Sequence, residues 1–136
     1  MKVTVYIVIA GAIAVLIGSS FSSVIQETKW TAPTGADSLI NPLNNNSAAV
    51  IEGKKTYEKY CWQCHGMDGR GEGPGSKNLN PKPADHTSTI VQGQSDGAIF
   101  WKITKGRGAM QPYERILNKT QRWQLVEYIR SLAPAK

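Results

Sequence analysis

The segment Cys61-Trp62-Gln63-Cys64-His65 carries the most specific chemistry in the chain. Two thiols three positions apart, followed at once by an imidazole, form the Cys-x-x-Cys-His attachment signature of c-type haem. Each thiol can add to one haem vinyl group to make a thioether. The adjoining His then lies under the ring and places its imidazole on the iron. A covalent hold also keeps the group from being lost in an exported, oxidising compartment. Two other uses compete for the same residues. Zinc in a structural site takes four ligands, and the chain has two Cys and two His, with His86 in a Pro-rich loop rather than at finger spacing. A thioredoxin-like redox pair asks for a βαβ setting, and strand signals are weak throughout. Haem attachment is the reading on which motif, export signal and loop composition agree.

A haem iron takes a second axial donor unless it is left open for chemistry. The candidates are Met1, Met67, Met110 and His86. Met1 belongs to an apolar N-terminal stretch, and Met67, two residues past His65, is too close to reach the opposite face. Elimination leaves Met110, in the glycine-rich turn Gly106-Arg107-Gly108-Ala109-Met110-Gln111-Pro112, with His86 as the other choice or a solvated loop residue.

These residues need a frame. The chain has 136 residues, enough for one compact domain and a targeting segment but not for two sizeable cores. With 40% hydrophobic residues and 2 Cys, it is neither wholly disordered nor a disulfide scaffold. The net charge of +6 comes from 16 Lys and Arg against 10 Asp and Glu, and the longest basic run is Lys54-Lys55. Scattered charge of that kind makes no stripe for a nucleic acid.

Between Lys2 and Glu27 no charge occurs, and Val3 to Ile17 is nearly continuous Val, Ile, Ala and Leu. Residues 1–26 read as a membrane anchor or a cleavable signal, and either exports the rest of the chain. Lys2 favours a cytoplasmic N-terminus. Residues 27–47, with Pro33, Gly35, Pro42 and the Asn44-Asn45-Asn46-Ser47 cluster, read as a flexible linker. Trp30 is large for a linker; it suits a membrane interface, where Trp is enriched, or a docking contact with a partner.

The remaining residues, 48–136, form the folded domain. Three helical segments are predicted: Ala48 to Tyr60 capped by Ser47, Gly97 to Lys105 capped by Ser95 or Asp96 and ended by Gly106, and Gln121 to Leu132 opened by Thr120. The fold is therefore all-α. Gly53, inside the first helix, costs about 1 kcal/mol relative to Ala, which a close helix crossing would offset. The stretch from Gly66 to Gln94 is too long and too rich in Gly and Pro for so small a domain. Three short helices also bury little by themselves. A single haem at the centre answers both problems.

Taken together, these pieces resemble a class I cytochrome c domain of the small bacterial type. The matching stretches are Gly53-Lys54-Lys55-Thr56-Tyr57, Cys61 to Gly66, Gly69-Arg70-Gly71-Glu72-Gly73-Pro74, Pro81-Lys82-Pro83-Ala84-Asp85, Ile103-Thr104-Lys105-Gly106 ahead of Met110, and Leu125-Val126-Glu127-Tyr128-Ile129. The resemblance covers about two thirds of the chain and departs from the family where Gln111 separates Met110 from Pro112. It implies a cytochrome c fold wrapped around one haem c, joined through Cys61 and Cys64. His65 and Met110 would be its axial ligands, and the Pro74 carbonyl would accept the Nδ1 hydrogen of His65. It also implies that Gly53 and Tyr57 meet Leu125 and Tyr128 at a helix crossing, and that Leu79, Ile99, Phe100, Ile103 and Ile116 wall the pocket. Arg107 or Trp101 would approach a haem propionate.

The implied function is one-electron transfer in a bacterial respiratory or periplasmic chain, not catalysis. Redox partner proteins would be a quinol-oxidising complex, a terminal oxidase or a periplasmic reductase or dehydrogenase. Lys77, Lys82, Lys102 and Lys105 would favour transient docking. Alternatively the chain is the cytochrome subunit of such a membrane complex. The site is then the periplasmic face of the inner membrane, or the soluble periplasm if the N-terminal segment is cleaved.

Overall fold

The structure, a computed structural model, describes residues 29–135; the expected anchor or signal at 1–26 lies outside them. Five α-helices occur in order: α1 (Ser47–Tyr60), α2 (Trp62–His65), α3 (Thr89–Gln92), α4 (Asp96–Lys105) and α5 (Lys119–Ser131). Short 3-10 turns stand at Thr34–Ala36 and Pro74–Ser76. Among the described residues there is no strand, only an isolated bridge between Arg107 and Met110. None of their helices is long and apolar enough to cross a membrane.

Local chemistry sets the helix ends. Asn46, not Ser47, caps α1, its side chain accepting from the Ala49 amide, 3.1 Å away. An amide oxygen one residue earlier reaches an orphan N–H that the Ser47 hydroxyl, already inside the helix, does not. Ser95 caps α4 through the Ala98 amide. At α5 the cap is Asn118 rather than Thr120, with Gln121 returning a bond to the Asn118 amide in a capping box.

Along α1 the buried residues Ala49, Gly53 and Tyr57 recur every four positions and lay one stripe against α5. On α5 the Gln124 backbone and the Tyr128 side chain face Gly53, and the rings of Tyr57 and Tyr128 lie 5.0 Å apart. The expected crossing is therefore present at Tyr128, while Gly53 meets the Gln124 backbone. Burying a side chain such as Leu125 or Val126 contributes roughly 1.5–3 kcal/mol. α4 closes the other side of α5, with Phe100 stacked on Trp123 at 4.0 Å.

The expectation of a flexible linker up to residue 47 is corrected. Ala36 is buried, and its carbonyl occupies the place where a Cβ on Gly97 would stand. Only glycine at 97 lets this strap touch the α4 backbone. Asp37 accepts from the Ser95 hydroxyl, and the Asn41 amide donates to both Asp96, at 2.8 Å, and Glu127, at 2.6 Å. Polar Asn and Asp read as loop formers in sequence, but here they close bonds to α4 and α5. The ring of Trp30 meets Trp101 edge-on at 6.4 Å.

Candidate functional site

The long connection and the helices enclose one cavity of about 1030 Å³, at the upper end of the roughly 300–1,000 Å³ usual for ligand and cofactor pockets. Cys61, at the junction of α1 and α2, and Cys64 and His65 of α2 stand on its wall. Leu79, Val91, Ile99, Ile103, Leu125 and Ile129 give it an apolar interior. Met110 lines it too. Gly106 ends α4, and the paired bonds from Arg107 N–H to the Met110 carbonyl (2.8 Å) and from Met110 N–H to the Arg107 carbonyl (3.0 Å) hold Met110 in a tight turn. The backbone thus brings the two thiols, His65 and Met110 to one space.

Burial pushes the Cys61 thiol up to about 12, with the neighbouring Cys64 adding to the shift. Cys61 and Cys64 form no disulfide with each other. Burial also lowers His65 below the ordinary imidazole range, against the opposing effect of a bond to a backbone carbonyl, and so keeps the ring in its neutral, metal-binding form. Among the described residues no cluster of three or more His, Cys, Asp and Glu could hold a metal ion. A large apolar cavity, two thiols on its wall and one soft sulfur donor in its lining fit a haem.

Several expected contacts differ. The Nδ1 of His65 lies 3.0 Å from the Ala84 carbonyl, not that of Pro74. Pro74 begins a turn whose preceding residue, Gly73, is bonded to the Cys64 carbonyl, and the His65 ring is turned toward the 84–86 segment instead. There it stacks on His86 at 4.2 Å with the planes 18° apart. His86 is 8% exposed, not solvated, and its Nδ1 is 3.4 Å from the Tyr57 hydroxyl. Burial pushes its imidazole well below the usual range, with His65 adding to the effect. Met67 is exposed.

Phe100 and Ile116 do not line the cavity: Phe100 is spent on Trp123, and Ile116 is 43% exposed. Arg107 lines it and Trp101 does not, because that indole packs on Trp30. Among the lysines, Lys82 donates to the Ser76 and Lys77 carbonyls, Lys102 bonds Gln94, and Lys105 pairs with Glu114 at 2.8 Å. Sequence reasoning missed the residues Lys29, Trp30, Thr31 and Ala32, which also line the cavity. The one signal for them was an indole too large for a spacer.

This fold and donor set define a class I c-type cytochrome with covalently bound haem c, a mono-haem electron-transfer domain. Residues 48–129 match the family described as cytochrome c oxidase, cbb3-type, subunit III, and the chain belongs to that family. A cytochrome bc1 complex cytochrome c subunit of Corynebacterium efficiens is 28% identical over 116 residues, which are 85% of this chain and 34% of that protein. The chain thus spans about a third of the length of this relative. A solved chain from the reducing HAO-like protein complex of Kuenenia stuttgartiensis is 32% identical with a TM-score of 0.61, over 72% of this chain and 49% of that one. Cytochrome cL of Methylophaga aminisulfidivorans, at 22% identity and a TM-score of 0.54 over 68% of this chain and 58% of that one, shares the fold.

Proposed function

We propose that the chain passes single electrons between redox partner proteins, with haem c joined through Cys61 and Cys64 and ligated by His65 and Met110. The observation that carries this reading is the shared cavity, with both thiols and His65 on its wall and Met110 in its lining. His86 stands beside His65, ring against ring, so it is a neighbour of the proximal ligand rather than a donor facing it. When bound, the haem supplies a one-electron iron couple. Around it, neutral His65 presents a lone pair while its Nδ1–H is held by Ala84. The Met110 thioether favours the ferrous state and raises the potential relative to a second imidazole. The apolar walls exclude water. No residue here is assigned a catalytic role.

A second reading has a specific support: both the matched family and the Corynebacterium relative are named as subunits of respiratory complexes. On this reading the chain is the cytochrome subunit of a membrane oxidoreductase, residues 1–26 anchor it, and residues 48–136 face the periplasm. Domain-level electron transfer is common to both readings.

The test is visible spectroscopy of the haem-loaded wild type beside Met110→Ala and His86→Ala. Loss of the methionine–iron charge-transfer band in the first variant alone supports the assignment; loss in the second alone overturns it. Co-purification with a large complex in mild detergent favours the subunit reading.

A further inference from the structure

The segment that carries Ala84 meets His65 twice. The Ala84 carbonyl lies 3.0 Å from Nδ1 at the edge of the His65 ring. Two residues on, the His86 ring lies against the face, 4.2 Å away with the planes 18° apart. A single hydrogen bond at one edge leaves a ring free to tilt about the N–H···O line, because the angular preference at a carbonyl is broad. A flat neighbour packed on the face removes that freedom by contact. His86 is anchored independently of His65. Its amide donates to the Gly69 carbonyl at 2.7 Å, and its carbonyl accepts from Gln92 Nε2, also at 2.7 Å. The same Gln92 nitrogen donates to the Ile129 carbonyl of α5 at 2.8 Å. Tyr57 stands edge-on to the His86 ring at 5.8 Å, its hydroxyl 3.4 Å from Nδ1. The Tyr57 hydrogen is spent on the Gly66 carbonyl at 3.0 Å, so the hydroxyl oxygen accepts from His86, which puts the His86 hydrogen on Nδ1. Gly66 follows His65 directly, and the contacts close into a loop.

Filling this space needs no histidine. A leucine would take no polar atom out of water, whereas His86 buries two ring nitrogens at 8% exposure. What the imidazole adds is a rigid plane, aimed by its contact with Tyr57. We propose that His86 is a positioning residue for the proximal ligand: its ring sets the plane of the His65 imidazole, the freedom that the Ala84 bond leaves open. This rests on the haem reading above and deepens it. The plane of an axial imidazole decides which iron orbitals its π system meets, so a neighbour that orients the ligand also tunes the metal. With His65 held at one angle, every molecule offers the electron the same ligand geometry.

The test uses full-length holoprotein as wild type, His86→Leu and His86→Phe. Asn41→Ala, which loses bonds to Asp96 and Glu127, controls for lowered stability. The quantity read is the electron paramagnetic resonance spectrum of the ferric low-spin iron. His86→Leu is expected to shift the largest g value and to broaden its line. His86→Phe, which keeps a flat face, is expected to restore the wild-type position and width, and the methionine–iron band should persist in every variant. Wild-type spectra from both His86 variants, equal shifts in both, or a shift in Asn41→Ala as large as that in His86→Leu each overturn the proposal. Ferrous wild type gives a reading that needs no variant, should His86→Leu fail to take up haem. NMR cross-peaks between the ring protons of His65 and His86 are expected there, and their absence overturns the proposal. A colourless wild type overturns the haem reading instead, so the two failures are distinct.

Discussion

Gly53 of α1 lies against the carbonyl of Gln124 on α5: a Cβ added at Gly53 would stand 2.0 Å from that oxygen and 3.0 Å from the Tyr128 Cβ. Backbone atoms on both sides leave no flexible end to swing away. The crossing of the first and last helices, which fixes where Cys61 emerges from α1, therefore depends on a missing side chain. Gly53→Ala gains about 1 kcal/mol of helix propensity, but overpacking costs roughly 1–3 kcal/mol or more. The expected result is a melting temperature lower by several degrees, read by far-UV circular dichroism on the holoprotein. An unchanged or higher value would contradict this packing.

Tyr57 is fully buried, and its hydroxyl donates to the Gly66 carbonyl at 3.0 Å. Tyr57→Phe keeps the ring contacts with Tyr128 and His86 and removes one of the two donors to the Gly66 carbonyl, which keeps the Gly69 amide at 3.2 Å. Loss of one such hydrogen bond costs about 0.5–1.5 kcal/mol. The unfolding free energy should fall by that amount and the urea midpoint by that amount divided by the slope, which stays fixed because the surface exposed on unfolding does not change.

Asp85 orders the loop that carries Ala84 and His86. Its carboxylate accepts from the Thr87 amide at 2.8 Å and from the Thr87 hydroxyl at 2.7 Å. The side-chain bond from Thr87, then its amide bond, hold the Asp85 carboxyl below the usual 3.8. A carboxyl depressed in the fold contributes stability above its unfolded value and loses it as pH falls through the folded value. Wild type should therefore keep the Thr87 amide protected from hydrogen exchange at neutral pH and lose that protection below about pH 4. Asp85→Ala should lose that protection already at pH 7, because the Thr87 amide then has no carboxylate to bond. Equal protection in both proteins would show that the turn stands without the carboxylate.

Asn41 joins two carboxylates on different helices, and Glu127 is 5% exposed. Asn41→Ala removes a donor from a buried charge, for which hydrogen bonds are worth about 1.5–3 kcal/mol. A destabilisation in that range should come with faster amide exchange across residues 36–43, because the strap loses a tie to α4. Exchange confined to α5 would place the bond's importance elsewhere.

Much of this was legible along the chain. Cys61, Cys64 and His65 announce their chemistry because attachment depends on spacing within five consecutive residues, and α2 changes that spacing little. Gly53 was readable as a close approach because glycine inside a good helix has few other uses. The three longer helices came through for a similar reason: caps and the 3.6-residue period are local. Their first residues did not, since Asn46 and Asn118 compete with nearby Ser and Thr for the same amides.

What stayed hidden were contacts between residues far apart in the chain. Nothing local distinguishes Ala84 from Pro74 as the partner of His65, because a carbonyl has no signature in sequence and ring orientation is decided by what packs beside it. His86, polar and set among prolines, reads as solvated until Tyr57 and His65 are seen to enclose it. The strap is the clearest case. Pro, Gly and Asn between 33 and 46 state that the backbone is irregular, and only the bare patch of α4 at Gly97, with carboxylates waiting on two helices, determines that this irregular backbone lies down. Residue types and short spacings thus settled which chemistry the molecule carries. Burial and long-range pairing, which depend on every element at once, decided which side chains surround it.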